Sequence, residues 1–398
     1  MSSSRHPEGK SGYQERKKVI VVIGTRPEAI KLAPVVLELE RHPAHFETKI
    51  CVTGQHRQML DQMLRVFGLR PDYDLGVMKA GQDLAEVTAA CLMGLDGVLR
   101  HERPDLVLVQ GDTTTTFAAS LAAYYYHIRV GHIEAGLRTG KKYDPFPEEV
   151  NRRLATHLSD FHFAPTEVAR RNLLVEGVRQ ENILVTGNTV IDALLLTRAR
   201  LTEEPSLAVD RLGPTDDLRI ILVTAHRRES FGPRFRRICE AIRAIAERRC
   251  DILVVYPVHL NPNVQAPVRE ILDGVPNIKL LAPLDYASFV ACMERAYILL
   301  TDSGGIQEEG PSLGKPVLVM REVSERPEAI AAGTACLTGT DPEQIVGAVS
   351  SLLDDPARYK QMTSRPNPYG DGHAAERIVQ FLISRVTKPA LRDDSDAL

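Results

Sequence analysis

Long apolar runs are missing from this chain. None reaches the ~18 residues that a transmembrane helix needs, so no membrane partner is expected. The amino-terminal stretch MSSSRHPEGKSGYQERKK has no apolar segment either, so no secretory signal is expected. The six cysteines (Cys51, Cys91, Cys239, Cys250, Cys292, Cys336) include no C-x-x-C pair, which argues against a zinc ribbon or a disulfide framework. They read as buried free thiols in a reducing compartment, and the expected location is the cytoplasm. A strong basic excess is also absent: the formal net charge is -3, so no global field favours nucleic acid or an anionic membrane. The dinucleotide fingerprint G-x-G-x-x-G and the triphosphate loop G-x-x-x-x-G-K-[ST] do not occur, so no nicotinamide, flavin or magnesium triphosphate site is supported. No cofactor and no metal are expected. There is no short-period repeat and no low-complexity segment.

A chain of 398 residues, 43% hydrophobic and 25% charged, fits a globular protein of two domains. The run KKVIVVI (17–23) has the uninterrupted β-branched character of a parallel strand covered on both faces. Strand-like runs recur at 47–53, 105–112, 129–135, 161–165 and 182–188, with helical spacing at 55–67, 83–100, 114–126, 148–158 and 167–175. After a polar stretch at 202–217 the pattern restarts. Strands are expected at 219–226, 251–259, 277–283, 297–305 and 315–322, and helices near 234–248, 286–296, 305–314, 341–353 and 373–386. Such alternation predicts the α/β class: parallel sheets with right-handed crossovers, in two Rossmann-like halves that face a cleft. Ligands in such folds bind at the carboxyl ends of the strands.

Strand ends therefore carry the chemistry. VGHIEAGLRTGKKYDPFPEEVNRR (130–153) runs from an apolar strand into Glu134, then through a Gly- and Pro-bearing loop to Glu148 at a helix start. With Asp112 after the preceding strand, three carboxylates converge on one rim. Like-charge repulsion there can push a pKa upward, a cost tolerated more often for chemistry than for structure. The plain alternatives are a salt-bridged Glu134 and an Asp112 that caps a helix. Gly24-Thr25-Arg26 offers a guanidinium beside a helix start, suited to an anionic phosphate or carboxylate. His226-Arg227-Arg228 suits a diphosphate. Ser303-Gly304-Gly305 presents backbone N–H groups without side-chain obstruction, and Glu309, about one turn on, can accept the hydroxyls of a ribose. The combination favours a nucleotide-sugar.

Several long motifs occur in order: GTRPEAIKLAP, TGQHRQMLDQ, QGDTTTT, GHIEAGLRTG, PFPEEVNRR, GNTVIDALL, HRRESFG, YPVHLNPNV, TDSGGIQEEGPSLGKPVLVMR, ERPEA and NPYGDG. On these motifs the chain resembles the bacterial non-hydrolysing UDP-N-acetylglucosamine 2-epimerases from about residue 18 to 386. The resemblance implies a GT-B architecture and a homodimer. It also implies reversible interconversion of UDP-GlcNAc and UDP-ManNAc for surface polysaccharide precursors, through UDP and an enzyme-bound 2-acetamidoglucal. By composition 1–17 and 388–398 read as disordered tails. A first domain is expected over 18–188, completed, as the resemblance implies, by a carboxy-terminal helix at about 372–387, with a UDP-binding domain over 189–371. By the same resemblance Asp112, Glu134, Glu148 and His226 are catalytic. Arg26, Lys31, Phe289, Ser303, Gly304, Gly305, Glu309 and Arg326 hold substrate. Gln55, His56, Gln58, Arg227 and His259 match an activator site of some members, in which an arginine stands where this chain has Gly81. The alternatives are a hydrolysing 2-epimerase, an epimerase for another 2-acetamido UDP-sugar, a GT-B glycosyltransferase and a non-catalytic nucleotide-sugar sensor.

Overall fold

A computed structural model describes residues 16–54, 57–79, 81–208, 210, 212–213, 215 and 217–386, with the backbone alone at 57–61. The first sheet contains β1 (Lys17–Ile23), β2 (Phe46–Val52), β3 (Tyr73–Asp74), β4 (Leu106–Gln110), β5 (Arg129–Ile133), β6 (Phe161–Ala164) and β7 (Ile183–Val185). Its order is β3-β2-β1-β4-β5-β6-β7, and every pair is parallel. The second sheet contains β8 (Arg219–Thr224), β9 (Ile252–Pro257), β10 (Ile278–Leu281), β11 (Ala296–Thr301), β12 (Val317–Val319) and β13 (Ala335–Leu337), in the order β10-β9-β8-β11-β12-β13. It too is wholly parallel. The α/β class and its two facing parallel-sheet halves are as the sequence predicts.

Both central strands are apolar on both faces because helices cover both faces. Val19 to Ile23 are at most 1% exposed, and each such side chain contributes roughly 1.5–3 kcal/mol through burial. The last helix (Ala374–Val386) packs on the first sheet, where Phe381 meets Phe161 and Phe163 edge-on with ring centroids 5.6 Å apart. Among the described residues no helix is long and apolar enough to cross a membrane.

Some elements differ from expectation. Between the strand-like run at 182–188 and the polar stretch at 202–217, where no helix is predicted, lies a fifteen-residue helix (Thr189–Glu203), capped by the Asn188 side chain, which accepts from the Val190 N–H at 3.1 Å. A further helix, Pro262–Leu272, starts after an Asn261 cap; its Pro262 lies in the first turn, where a missing N–H costs nothing. β3 and β13 have two and three residues, too short for a visible alternation. Four cysteines are buried as expected (Cys51, Cys91, Cys239, Cys292), whereas Cys250 is exposed at the end of a helix and Cys336 is half-buried.

Candidate active site between the two sheets

Each sheet reverses its winding direction once: between β1 and β4 in the first, and between β8 and β11 in the second. The loops that leave these strands diverge and open a crevice at the carboxyl edge. Arg26 and Asp112 follow β1 and β4, Glu134 follows β5 next door, and His226 and Ser303 follow β8 and β11. The topology thus assembles two rims from segments remote in sequence.

On the first rim, Glu134 is 8% exposed and sits in the left-handed region at φ 63°. That conformation costs a non-glycine residue on the order of 1–3 kcal/mol and turns its side chain out of the strand direction. Two residues later Gly136 (φ 90°) passes so close to the helix Glu167–Val175 that a Cβ would lie 2.3 Å from the Ala169 carbonyl oxygen. Lys31 Nζ reaches both Glu134 oxygens, at 2.7 and 2.6 Å. Gln110 Nε2 also donates to this carboxylate, and Asn188 Nδ2 does so at 3.4 Å. Burial pushes the Glu134 carboxyl upward, but Lys31 above all, then Arg326 and Arg152, hold it below its ordinary value. The crowding of carboxylates was expected to raise a pKa on this rim. The surrounding cations reverse that sign at Glu134.

Asp112 is paired with Arg152, and its carbonyl oxygen accepts from Asn151 Nδ2 at 3.0 Å. Glu148 opens the helix Glu148–Leu158 that carries both partners. The two adjacent glutamates at this helix start have opposite roles in packing. Glu149 is fully buried and accepts from the N–H groups of Thr139 and Gly140 at 3.1 and 3.3 Å and from Arg152 and Arg153, both at 3.3 Å. It ties down the loop. Glu148 is half-buried, and its Oε2 has no hydrogen-bond partner among the described residues. An unpartnered buried carboxylate oxygen is costly.

On the second rim, the backbone N–H groups of His226 and Arg227 both donate to Asp302 Oδ2, at 2.7 and 2.8 Å. This fixes the loop after β8 against the loop after β11. The His226 ring stacks on His259 with centroids 5.3 Å apart, and burial lowers its pKa. The lowered pKa favours the neutral His226 ring, a hydrogen-bond donor or acceptor, over the charged one. Gly304 opens the short helix Gly304–Glu309, and a Cβ there would only touch Arg227 and Arg326 at 3.7 Å. Glu309 is 7% exposed and accepts from the Tyr286 hydroxyl at 3.1 Å; burial raises its pKa to about 7. Phe289 is half-buried on the helix Tyr286–Arg295, and Arg26 is exposed at the opposite rim.

Four groups not anticipated as site residues complete the cleft. Glu308, next to Glu309, pairs with Arg326. Asn188 Nδ2 donates to Glu308 Oε2 at 3.2 Å as well as to Glu134. Gln110 orients Glu134. Glu28, buried and raised to about 7 by desolvation, accepts from Thr113 Oγ1 at 2.8 Å and so steadies the Asp112 loop. The residue types were visible, but the contacts join positions as far as 120 residues apart. Of the five activator-site positions, Gln55, His56 and the Gln58 side chain lie outside the described residues. Arg227 approaches Glu325 at 3.7 Å, and His259 is the ring stacked on His226. Among the described residues no group of three His, Cys, Asp or Glu is placed to hold a metal ion. A separate cavity of about 620 Å³ is lined by Thr186, Gly187, Pro311 and Asn367 among others.

Two parallel-sheet domains with facing switch points and a carboxylate-bearing rim opposite a bare Gly-Gly helix start define a GT-B nucleotide-sugar protein. The family model for UDP-N-acetylglucosamine 2-epimerase matches residues 37–383. The chain belongs to that family. It is similar to the UDP-N-acetylglucosamine 2-epimerase of Yersinia pestis, at 57% identity over 92% of this chain and 98% of the relative. Among solved structures, the UDP-GlcNAc 2-epimerase of Neisseria meningitidis bound to UDP-GlcNAc superposes with a TM-score of 0.85 at 49% identity, covering 92% of this chain and 100% of that one. The enzyme of Methanocaldococcus jannaschii in complex with UDP-GlcNAc and UDP gives 0.73 at 33% identity, over 92% and 99%.

Proposed function

We propose that the chain is a non-hydrolysing UDP-N-acetylglucosamine 2-epimerase that interconverts UDP-GlcNAc and UDP-ManNAc. The observation that carries this reading is Glu134, a carboxylate kept ionised while buried, on the rim opposite an unobstructed helix start. The proton on carbon 2 of the sugar is not α to a carbonyl, so direct removal is unfavourable. In the proposed route the carbon 2 proton and the anomeric UDP leave together. The C–H and C–O bonds break, a carbon 1–carbon 2 double bond forms, and 2-acetamidoglucal and UDP stay bound. UDP then re-adds to carbon 1 while carbon 2 takes a proton on the opposite face.

Asp112, Glu134 and Glu148 form the acid/base set, and such groups contribute ~10²–10⁴-fold each. Arg26, His226 and the N–H groups from Ser303 to Gly305 stabilise the departing diphosphate, which would draw a proton onto His226 as its charge approaches. Glu309 accepts from the ribose, Phe289 flanks the uracil, and Lys31 and Arg326 hold the rims. The Glu148 loop completes the site when the cleft closes around the sugar. His259 and Arg227 belong to the activator position, and the His226–His259 stack supports contact between that position and the leaving group.

The proposed homodimer would use the three adjacent helices Leu84–Glu102, Thr114–Tyr125 and Glu148–Leu158, which expose Leu84, Met93, Tyr124, Tyr125 and Leu154. Six free cysteines suit a cytoplasmic site of action. The test is incubation with UDP-GlcNAc in deuterium oxide, followed by NMR. Deuterium at carbon 2 of both epimers with UDP retained in the sugar nucleotide is the expected result. UDP accumulating in step with turnover would select the hydrolysing reaction, and no incorporation would defeat the proton-transfer route.

A further inference from the structure

The segment Gly187–Asn188 leads out of the first sheet into the helix between the domains, and Tyr369–Gly370 leads back. The two touch. A Cβ on Gly187 would stand 3.1 Å from the Gly370 Cα, and both glycines have positive φ, 87° and 127°. The Asn188 N–H donates to the Tyr369 carbonyl oxygen at 2.7 Å. Asn188, 2% exposed, then reaches both rims at once. Its Nδ2 donates to Glu134 Oε1 at 3.4 Å and to Glu308 Oε2 at 3.2 Å, while Oδ1 accepts from the Val190 N–H at 3.1 Å. The cap fixes which way the amide faces, since a flip would set its oxygen against two carboxylates.

We propose that Asn188 is a positioning residue that holds the Glu134 carboxylate in register with Glu308 and Arg326 of the second domain, so that the acid/base geometry of the first rim depends on how the two domains sit. The inference rests on the reading of Glu134 as an acid/base residue. The charged and titratable groups around Glu134 are Lys31, Arg326, Arg152, Glu308 and the buried His132. Lys31 supplies charge from the end of a flexible stem; Asn188 supplies direction and the link between domains.

Asn188→Ser and Asn188→Asp both retain a good helix cap, so the fold is kept while the bridging donor is removed. With Asn188→Ser, kcat for epimerisation is expected to fall by about 10- to 100-fold, the scale of an ångström-sized misplacement, with KM and UDP affinity little changed. Asn188→Asp sets a third carboxylate between the other two and is expected to move the acid limb of the pH–kcat profile up by about one unit. Glu134→Gln is measured alongside. If it is inactive while both Asn188 variants match wild type in kcat and pH profile, Asn188 is only a cap and the proposal falls. A parallel loss of kcat, UDP affinity and thermal stability in Asn188→Ser, with an unmoved pH profile in Asn188→Asp, would overturn it as well. Retained activity in Glu134→Gln removes the underlying reading itself.

Discussion

On the first rim Glu134 loses its water and gains Lys31 at both oxygens, with Arg326 and Arg152 nearby. On the second rim Glu309 loses its water and gains the Tyr286 hydroxyl, with Glu308 as a like-charged neighbour and only a weaker pull from Lys31 and Arg26. Both are buried glutamates in one cleft, yet the first is held below its ordinary pKa and the second is pushed up to about 7. The difference shows that burial alone does not decide the state of a carboxyl; the sign is set by whether a cation pairs with it directly. It also fits a division of labour. A group that exchanges protons with the sugar must be ready before substrate arrives, whereas a group that accepts ribose hydroxyls can wait for its donors.

The most disruptive way to break this contrast is Lys31→Met, which makes a second Glu309 out of Glu134. Removing one partner of a buried pair costs about 3–5 kcal/mol, so thermal unfolding should drop markedly, and epimerase activity should fall with it. A smaller structural effect but a comparable catalytic one is expected at the adjacent pair. Glu148→Gln should lower kcat by ~10²–10⁴-fold with UDP binding and melting temperature near normal. Glu149→Gln should show loss of stability first, because Glu149 holds two loop N–H groups and two arginines.

Glu309→Gln sharpens the comparison from the other side. Its folded pKa is raised, so between 4.5 and about 7 the folded chain keeps a proton that the unfolded chain has released. Stability from this group therefore falls as pH rises across that window and stays low above it. The Gln variant should melt above wild type at pH 8, by the equivalent of about 1–3 kcal/mol, and match it near pH 4.5, while binding UDP more weakly. The smallest effect belongs to Gly304→Ala. The added methyl makes only ordinary contacts at 3.7 Å, so stability should hold while calorimetry shows weaker UDP binding from the covered helix start.

The parallel α/β architecture was legible because its central strands are apolar throughout and its helices carry clear caps and spacing. The helix Glu148–Leu158 falls where its acidic start places it. The helices after Asn188 and Asn261 are not predicted, although each begins with a capping asparagine; the first lies between a strand-like run and a polar stretch, and the second carries prolines at 262 and 267. The residues at strand ends could be picked out singly. What could not be read was their pairing. Lys31 with Glu134 spans 103 positions and Asn188 with Glu308 spans 120, and no local pattern encodes such contacts. The lowered pKa of His226 was equally hidden, since it arises first from burial, with His259 and Arg227 adding to it against the pull of Asp302.

The contrast between the rims is tested most directly by an isotope-edited infrared titration of the ligand-free protein with carboxyl-labelled glutamate, run on wild type, Glu134→Gln and Glu309→Gln. The carboxyl band lost in Glu309→Gln should titrate near 7, and the band lost in Glu134→Gln should remain a carboxylate below 4.5. Two bands titrating together, or a Glu134 carboxyl that is protonated at neutral pH, would contradict the account.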